Sequence, residues 1–230
     1  MAQLLNPVQV VFIHLPKTGG MSLHGAIAAA LPPGATLRVG DAAERAAFLR
    51  LGPAQVASRA FVSGHVSFEE AVARSRPDAR FVALLRDPVA RLVSAFNYMA
   101  SWTAHPLHAA MRDRGFADFV LDSGDALSGE ACRQLTGRST AAGAIPLLEA
   151  CYAAVATTDR LGELAALAGR WLGLPRIVAG RENVTPGQGR MTLDSRSCQR
   201  LLDVTQEDRL LFEHVAQRHG GLLAAPGMRA

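Results

Sequence analysis

Short apolar runs alternate with segments of helical periodicity along most of the chain. The first run, residues 9–14, is β-branched and almost wholly apolar, as in a strand buried inside a parallel sheet. Further strands are predicted at residues 36–39, 60–63, 80–85 and 152–157, with helices at 21–30, 42–51, 69–74 and 89–102. The pattern predicts an α/β fold of three layers, in which helices cover both faces of a mainly parallel central sheet.

The second half of the chain is predicted to be mostly helical. Helical patterns run through residues 107–150, with breaks at glycines, and from residue 158 or 159 to 172. A short strand at 176–179, a Gly- and Pro-rich loop and two helices at 194–203 and 205–218 complete the pattern. No linker or internal repeat divides the sequence, so residues 1–230 are predicted to form a single domain.

The segment between the first strand and the first helix has the composition of an anion-binding loop. Residues 15–22 read Leu-Pro-Lys-Thr-Gly-Gly-Met-Ser and lead into a helix N-terminus, whose free N–H groups attract phosphate. The glycines allow close approach, the hydroxyls donate hydrogen bonds, and lysine adds a compact charge. The candidate binding residues are Lys17, Thr18, Gly19, Gly20, Met21 and Ser22. Taken alone, the loop is also compatible with an ordinary strand-to-helix turn.

A second basic motif follows another predicted strand. Residues 80–85 lead to Arg86, and Asp87-Pro88 begins a helix that carries Ser94 two turns further on. Because parallel strands end at one edge of a sheet, we expect Arg86 beside Lys17, with Ser94 sharing an anion with the guanidinium. Two such sites predict a ligand with two separated phosphates. The alternative is that Arg86 and Asp87 form a structural ion pair at the helix start.

Composition narrows the choice of ligand. The net charge is +4, and the 24 basic residues comprise 23 arginines and one lysine, Lys17. With 49% hydrophobic and 19% charged residues, the chain is neither disordered nor a disulfide scaffold. The charge favours an anionic partner. Because the arginines are dispersed, without interleaved aromatic residues, we expect no nucleic acid partner.

The cysteines and apolar runs bear on location. The three cysteines are widely spaced and lack a CxxC pair, which indicates free thiols in a reducing compartment. No signal peptide is recognisable, and no apolar stretch approaches the roughly 18 residues that span a bilayer. We therefore expect a cytoplasmic protein without a transmembrane anchor.

The two basic motifs together resemble those of the sulfotransferases that use 3′-phosphoadenosine 5′-phosphosulfate (PAPS). Residues 12–23 are similar to the family's 5′-phosphosulfate loop, and Arg86 and Ser94 to its 3′-phosphate site. The closest branch is the uronyl and heparan sulfate 2-O-sulfotransferases, which residues 152–161 and 181–185 also resemble, and a bacterial member is implied. The resemblance implies a P-loop NTPase-like sulfotransferase fold, PAPS as donor, PAP as product and no metal requirement.

A histidine lies between the two motifs. His65 follows the predicted strand 60–63, and in the 2-O branch a histidine in a similar Gly-His-Val context is the catalytic base. The resemblance therefore implies that His65 takes the acceptor proton. Relatives carry another histidine where this chain has Ser63. His14 and His24 are expected to pack near the loop, and the other histidines to lie at the surface: His105, His108, His214 and His219.

The implied reaction is in-line displacement of the sulfuryl group by an acceptor hydroxyl. Lys17 stabilises charge on the leaving phosphate and His65 acts as base. The expected acceptor is a hydroxyl-bearing carbohydrate or glycolipid. Two alternatives stay open. The first, a P-loop-type small-molecule kinase, fits poorly because Lys17 precedes the glycines, whereas a Walker A lysine follows them. The second is a non-catalytic module that binds an anionic ligand.

Overall fold

A six-stranded sheet lies at the centre of the computed structural model, which describes residues 8–175, 177–178 and 193–228. The strands are β1 (Val10–Ile13), β2 (Thr36–Val39), β3 (Phe61–Gly64), β4 (Arg80–Leu85), β5 (Tyr152–Thr157) and β6 (Leu222–Ala224). Their spatial order is β2-β3-β1-β4-β5-β6. The first five are parallel, and β6 pairs antiparallel with β5 at the edge.

Helices connect the strands and cover the sheet. They are α1 (Gly20–Ala28), α2 (Ala42–Arg50), α3 (Pro53–Ala57), α4 (Phe68–Val72), α5 (Pro88–Ser101), α6 (His108–Met111), α7 (Phe116–Asp122), α8 (Glu130–Thr136), α9 (Ala141–Cys151), α10 (Leu161–Trp171) and α11 (Ser195–Glu213). Short 3₁₀ turns occupy Gly124–Leu127 and Thr158–Arg160, and a π-helical turn, His214–Arg218, continues α11. None of these helices combines the length and the apolar character needed to cross a membrane.

The sheet separates two apolar clusters of the core, and a third cluster is formed by residues of α5, α6, α7 and α11. Alternate side chains of β1 enter different clusters: Val11 and Ile13 pack on one face, and Val10 and Phe12 on the other. Every β1 residue is buried, as expected of a central strand covered on both sides. The predicted three-layer α/β fold with a mainly parallel sheet is confirmed.

Most predicted elements lie where the sequence placed them, with three corrections. Strands β2, β4 and β5 have the predicted bounds, and β3 begins one residue later. The two C-terminal helices predicted at 194–203 and 205–218 are wrong, because α11 continues through Thr205, whose hydroxyl donates to the Leu201 carbonyl at 2.7 Å. Helix α3 and strand β6 were not predicted. Of the strand predicted at 176–179, residues 177 and 178 are described and are not in a strand, and the other two lie outside the described residues.

A buried ion-pair network ties α5 to α8 and α11. The Asp208 carboxylate on α11 accepts hydrogen bonds from the backbone N–H groups of Ala131, at 3.0 Å, and Cys132, at 3.2 Å. Arg91 on α5 donates to Glu130 at 2.8 Å, and its guanidinium lies 3.5 Å from Asp208. Burial raises the pKa of Asp208 above its usual value, against the opposing effects of the Ala131 amide and Arg91. The network fixes the helix that follows Arg86.

Removing the Asp208 carboxylate should therefore destabilise the fold. Asp208→Ala leaves two N–H groups unpaired and the buried Arg91 with a single partner, so we expect the free energy of unfolding to fall by about 3 to 5 kcal/mol. Urea unfolding measures this change. Asp122→Ala is the control, since it breaks an ion pair between Arg114 and a 64% exposed carboxylate. That variant should lose less than about 1 kcal/mol, and an equally small loss for Asp208→Ala would contradict the prediction.

Candidate active site

The loop between β1 and α1 is tightly curved. Lys17 has φ 68° and Gly19 φ 84°, both in the left-handed region. Lys17 is the non-glycine residue with positive φ within the described part of the chain, and such strain is typical of binding sites. The buried Thr18 hydroxyl does not face solvent, because it donates to the Leu15 carbonyl at 2.9 Å. Helix α1, which has nine residues, begins at Gly20, three residues after the lysine, and its first amides have no partner within the helix.

The Lys17 side chain is half-buried over an aromatic ring. Its Nζ lies 4.0 Å from the centroid of the Tyr98 ring, which belongs to α5. Burial lowers the pKa of Lys17, and the positive charge of Arg86 lowers it further. Among the described residues, no carboxylate forms an ion pair with this ammonium group. An anionic ligand would stabilise the charged form of Lys17 against both burial and the repulsion from Arg86.

Arg86 joins the two basic motifs directly. Its guanidinium Nη1 donates a hydrogen bond to the Lys17 carbonyl at 3.1 Å. Burial lowers the pKa of Arg86, with Asp87 acting in the opposite direction. The Asp87 carboxylate instead caps α5 by accepting from the Ala90 amide at 2.8 Å. Among the described residues, the alternative of a structural ion pair between Arg86 and Asp87 is therefore not observed.

Ser94 lies on α5 in the register that its spacing predicted. It is buried, and no hydrogen bond joins its hydroxyl to Arg86 in the described residues. The shared anion site of these two side chains therefore stays a prediction. Tyr98 follows Ser94 by four residues and so lies on the same helix face, but this spacing does not show that the face meets Lys17.

His65 is held with a defined ring orientation at the end of β3. Its Nδ1 lies 2.8 Å from the His14 carbonyl, and a carbonyl only accepts, so Nδ1 carries the proton and a neutral ring keeps its lone pair on Nε2. The preceding residue, Gly64, has φ 158°. Glycine is required there because a Cβ would lie 2.1 Å from the Val39 carbonyl oxygen. The hydrogen bond thus fixes the tautomer and the orientation of the half-buried ring.

His14 forms the floor of the loop. Its ring stacks between Phe12, at 5.2 Å between centroids, and His65, at 4.6 Å. A Cβ at position 20 would lie 2.2 Å from the ring, so glycine is required where α1 begins. Burial lowers the pKa of His14 to about 3, and the positive charges of its neighbours, His65 first, add to the effect.

Two further residues complete the edge. His24 on α1 hydrogen-bonds through Nδ1 to the Ser63 hydroxyl at 2.6 Å and stacks on Phe61. Thr158, the first residue after β5, donates to the Leu85 carbonyl at 3.0 Å, and its methyl group lies 3.7 Å from where a Gly19 Cβ would be. Sequence reasoning did not assign Thr158, since a threonine after a strand is a common capping residue.

The edge therefore brings together the three predicted strand ends, at Lys17, His65 and Arg86. Residues 181–185, which resemble the 2-O branch, lie outside the described residues. A cavity of about 700 Å³ lies elsewhere, lined by residues of α10 and by the turn before β6.

Comparisons with known proteins give similarity to solved structures. No protein-family model matches the sequence, and no curated protein sequence matches it. A solved structure of mouse sulfotransferase SULT7A1 complexed with PAP matches with 14% sequence identity and a TM-score of 0.46. The match covers 73% of this chain and 60% of the mouse chain, so this chain spans less than two thirds of that protein.

His14 should make stability depend on pH. The folded protein holds its pKa at about 3, whereas an imidazole in an unfolded chain titrates near 6.5, so below about pH 6.5 the unfolded state takes up an extra proton. We expect this histidine to lower the free energy of unfolding by up to about 1.4 kcal/mol per pH unit as the pH falls from 6 towards 4.

Urea unfolding of wild type and His14→Gln between pH 8 and 4 isolates this contribution. The free energy of unfolding should fall less steeply with decreasing pH in the variant than in wild type. NMR of the ring gives an independent reading. A His14 ring that titrates near pH 6.5 would contradict the prediction.

Proposed function

We propose that this chain is a sulfotransferase that moves a sulfuryl group from PAPS to an acceptor hydroxyl and releases PAP. The observation that carries the proposal is the hydrogen bond from Arg86 to the Lys17 carbonyl, which joins two cationic motifs at one sheet edge. Neither cation is in an ion pair with a described carboxylate, so the pair is suited to a ligand that brings its own negative charges.

The donor set fits a nucleotide with separated anionic groups. In the proposed arrangement, Lys17, the Thr18 to Ser22 segment and the α1 amides bind the 5′-phosphosulfate, and Arg86 and Ser94 bind the 3′-phosphate. PAPS supplies the sulfuryl group when bound. Lys17 provides the positive charge at the bridging oxygen of the leaving phosphate, and the proposed reaction assigns no step to a metal ion.

His65 supplies the base. As the acceptor oxygen bonds to sulfur and the sulfur–phosphate oxygen bond breaks, the acceptor proton passes to His65 Nε2. The hydrogen bond from Nδ1 to the His14 carbonyl supports this role, because it keeps the lone pair on Nε2 and stabilises the ring once it is charged. Here the His24–Ser63 pair occupies the neighbouring position at which relatives of the 2-O branch carry a second histidine.

The proposed acceptor is a hydroxyl-bearing carbohydrate or glycolipid, as in the 2-O branch that the motifs resemble. The exposed Trp102, which stacks on Tyr98 at 5.2 Å, offers an apolar surface close to Lys17 for such a ring. The bacterial origin and cytoplasmic location stay predictions from the sequence.

Nucleotide binding tests the proposal. We expect calorimetric titration to give tight binding of PAP without magnesium and weak binding of ATP with or without it. Transfer from labelled PAPS is then measured against a panel of saccharides and glycolipids. Tighter binding of Mg²⁺–ATP than of PAP would overturn the proposal in favour of a kinase, and PAP binding without transfer to any acceptor would indicate a binding module.

Lys17→Arg and His65→Ala separate the two proposed roles. Lys17→Arg keeps the charge but replaces a compact ammonium with a planar guanidinium, so transfer should fall by about 10²- to 10³-fold. His65→Ala should lower kcat by about 10²- to 10⁴-fold while PAP affinity is retained. The control is Arg45→Lys, an exposed exchange on α2 that should leave both quantities unchanged. Near-normal turnover of either site variant would refute that residue's role.

A further inference from the structure

Three potential metal ligands meet beside the sheet edge formed by β6. Glu149 lies in the last turn of α9, His214 begins the π-helical turn after α11, and His219 follows that turn. The sequence predicted surface positions for both histidines, since no spacing linked them to a partner. In the structure, their side chains are only 8% and 27% exposed, and both face the same carboxylate.

The distances match those around a single small cation. His214 Nε2 lies 2.9 Å from Glu149 Oε1, and His219 Nε2 lies 3.6 Å from the same oxygen. One ligand atom from each residue lies within 4.8 Å of the others. Nitrogen and oxygen ligands of a tetrahedral Zn²⁺ stand about 3.3 to 3.5 Å apart, given bond lengths of about 2.0 to 2.1 Å. The three side chains could therefore surround one ion after small rotations.

The π-helical turn is what brings the histidines together. In a regular α-helix, residues five apart point in different directions, because the turn repeats after 3.6 residues. A π turn repeats after more residues, and the rings of His214 and His219 stand 5.1 Å apart between centroids. Hydrogen bonds hold the following backbone: Gly221 donates to Val215 at 3.0 Å, and its carbonyl accepts from Thr157 at 2.8 Å.

One nitrogen of the cluster is buried without a hydrogen bond. His219 Nε2 has no hydrogen-bond partner within the described part of the chain, and its separation from Glu149 exceeds hydrogen-bond length. Burying such a nitrogen is costly unless a ligand satisfies it. A cation shared with Glu149 would do so.

We propose that Glu149, His214 and His219 bind a divalent transition-metal ion of the zinc class. Two imidazoles and one carboxylate are an established ligand set for Zn²⁺, with water in the fourth position. His219 also borders the cavity of about 700 Å³ beside α10, which leaves space for that water. The ion links α9 to the segment that leads into β6. The site contains no residue of the candidate active site and does not depend on the proposed function.

Zinc titration of the full chain, freed of any affinity tag, tests the site. We expect one ion per chain by calorimetry and a rise in the thermal midpoint of about 5 to 10 °C when free Zn²⁺ is 100 times the dissociation constant. Glu149→Gln and His219→Ala should each weaken binding by at least about 10-fold, because removing even a residue that only orients a ligand costs 10- to 100-fold.

Controls separate this site from other zinc-binding groups. Glu149 is exposed, so Glu149→Gln should keep the metal-free thermal midpoint and report on binding alone. His108→Ala and Cys151→Ser should bind Zn²⁺ like wild type, although Cys151 is an exposed free thiol two residues from Glu149. Absence of a one-to-one site, or loss of binding in Cys151→Ser but not in His219→Ala, would overturn the proposal and leave an ordinary His–Glu contact.

Discussion

The hydrogen bond between the Arg86 guanidinium and the Lys17 carbonyl joins the ends of two neighbouring parallel strands. It brings two positive charges together where burial already lowers the pKa of each. Folding alone gains little from this arrangement, since like charges in a partly desolvated place repel. A bound anion would offset the repulsion between the two positive charges. Much of the surrounding structure holds the Lys17 and Arg86 side chains in position.

The histidines of the edge have distinct roles. His14 is buried and uncharged at neutral pH, and its ring supports both the start of α1 and the ring of His65. Its carbonyl, rather than its ring, orients His65. His14 and His65 lie side by side because they directly follow the adjacent strands β1 and β3. A neutral neighbour also avoids placing another cation against a proposed base.

Strands with a sustained apolar run were predicted from the sequence, whereas the shortest strand was not. Central strands such as β4 and β5 are apolar on both faces, and their bounds were predicted correctly. β6 has three residues and pairs antiparallel at the edge, so it carries no comparable pattern. The helix break predicted near Thr205 was wrong. A threonine hydroxyl often favours the end of a helix, but here it donates to the Leu201 carbonyl within α11, so the helix continues.

By itself, the sequence determined the α/β fold class and the loop of Lys17. It also determined the strand ends at His65 and Arg86, because local periodicity and the rule that parallel strands end at one edge suffice for these inferences. Only the tertiary structure placed Tyr98 under the lysine and set the tautomer of His65. It alone brought Glu149 to His214 and His219. These contacts join residues far apart in the chain, and they depend on how helices pack, which no local pattern encodes.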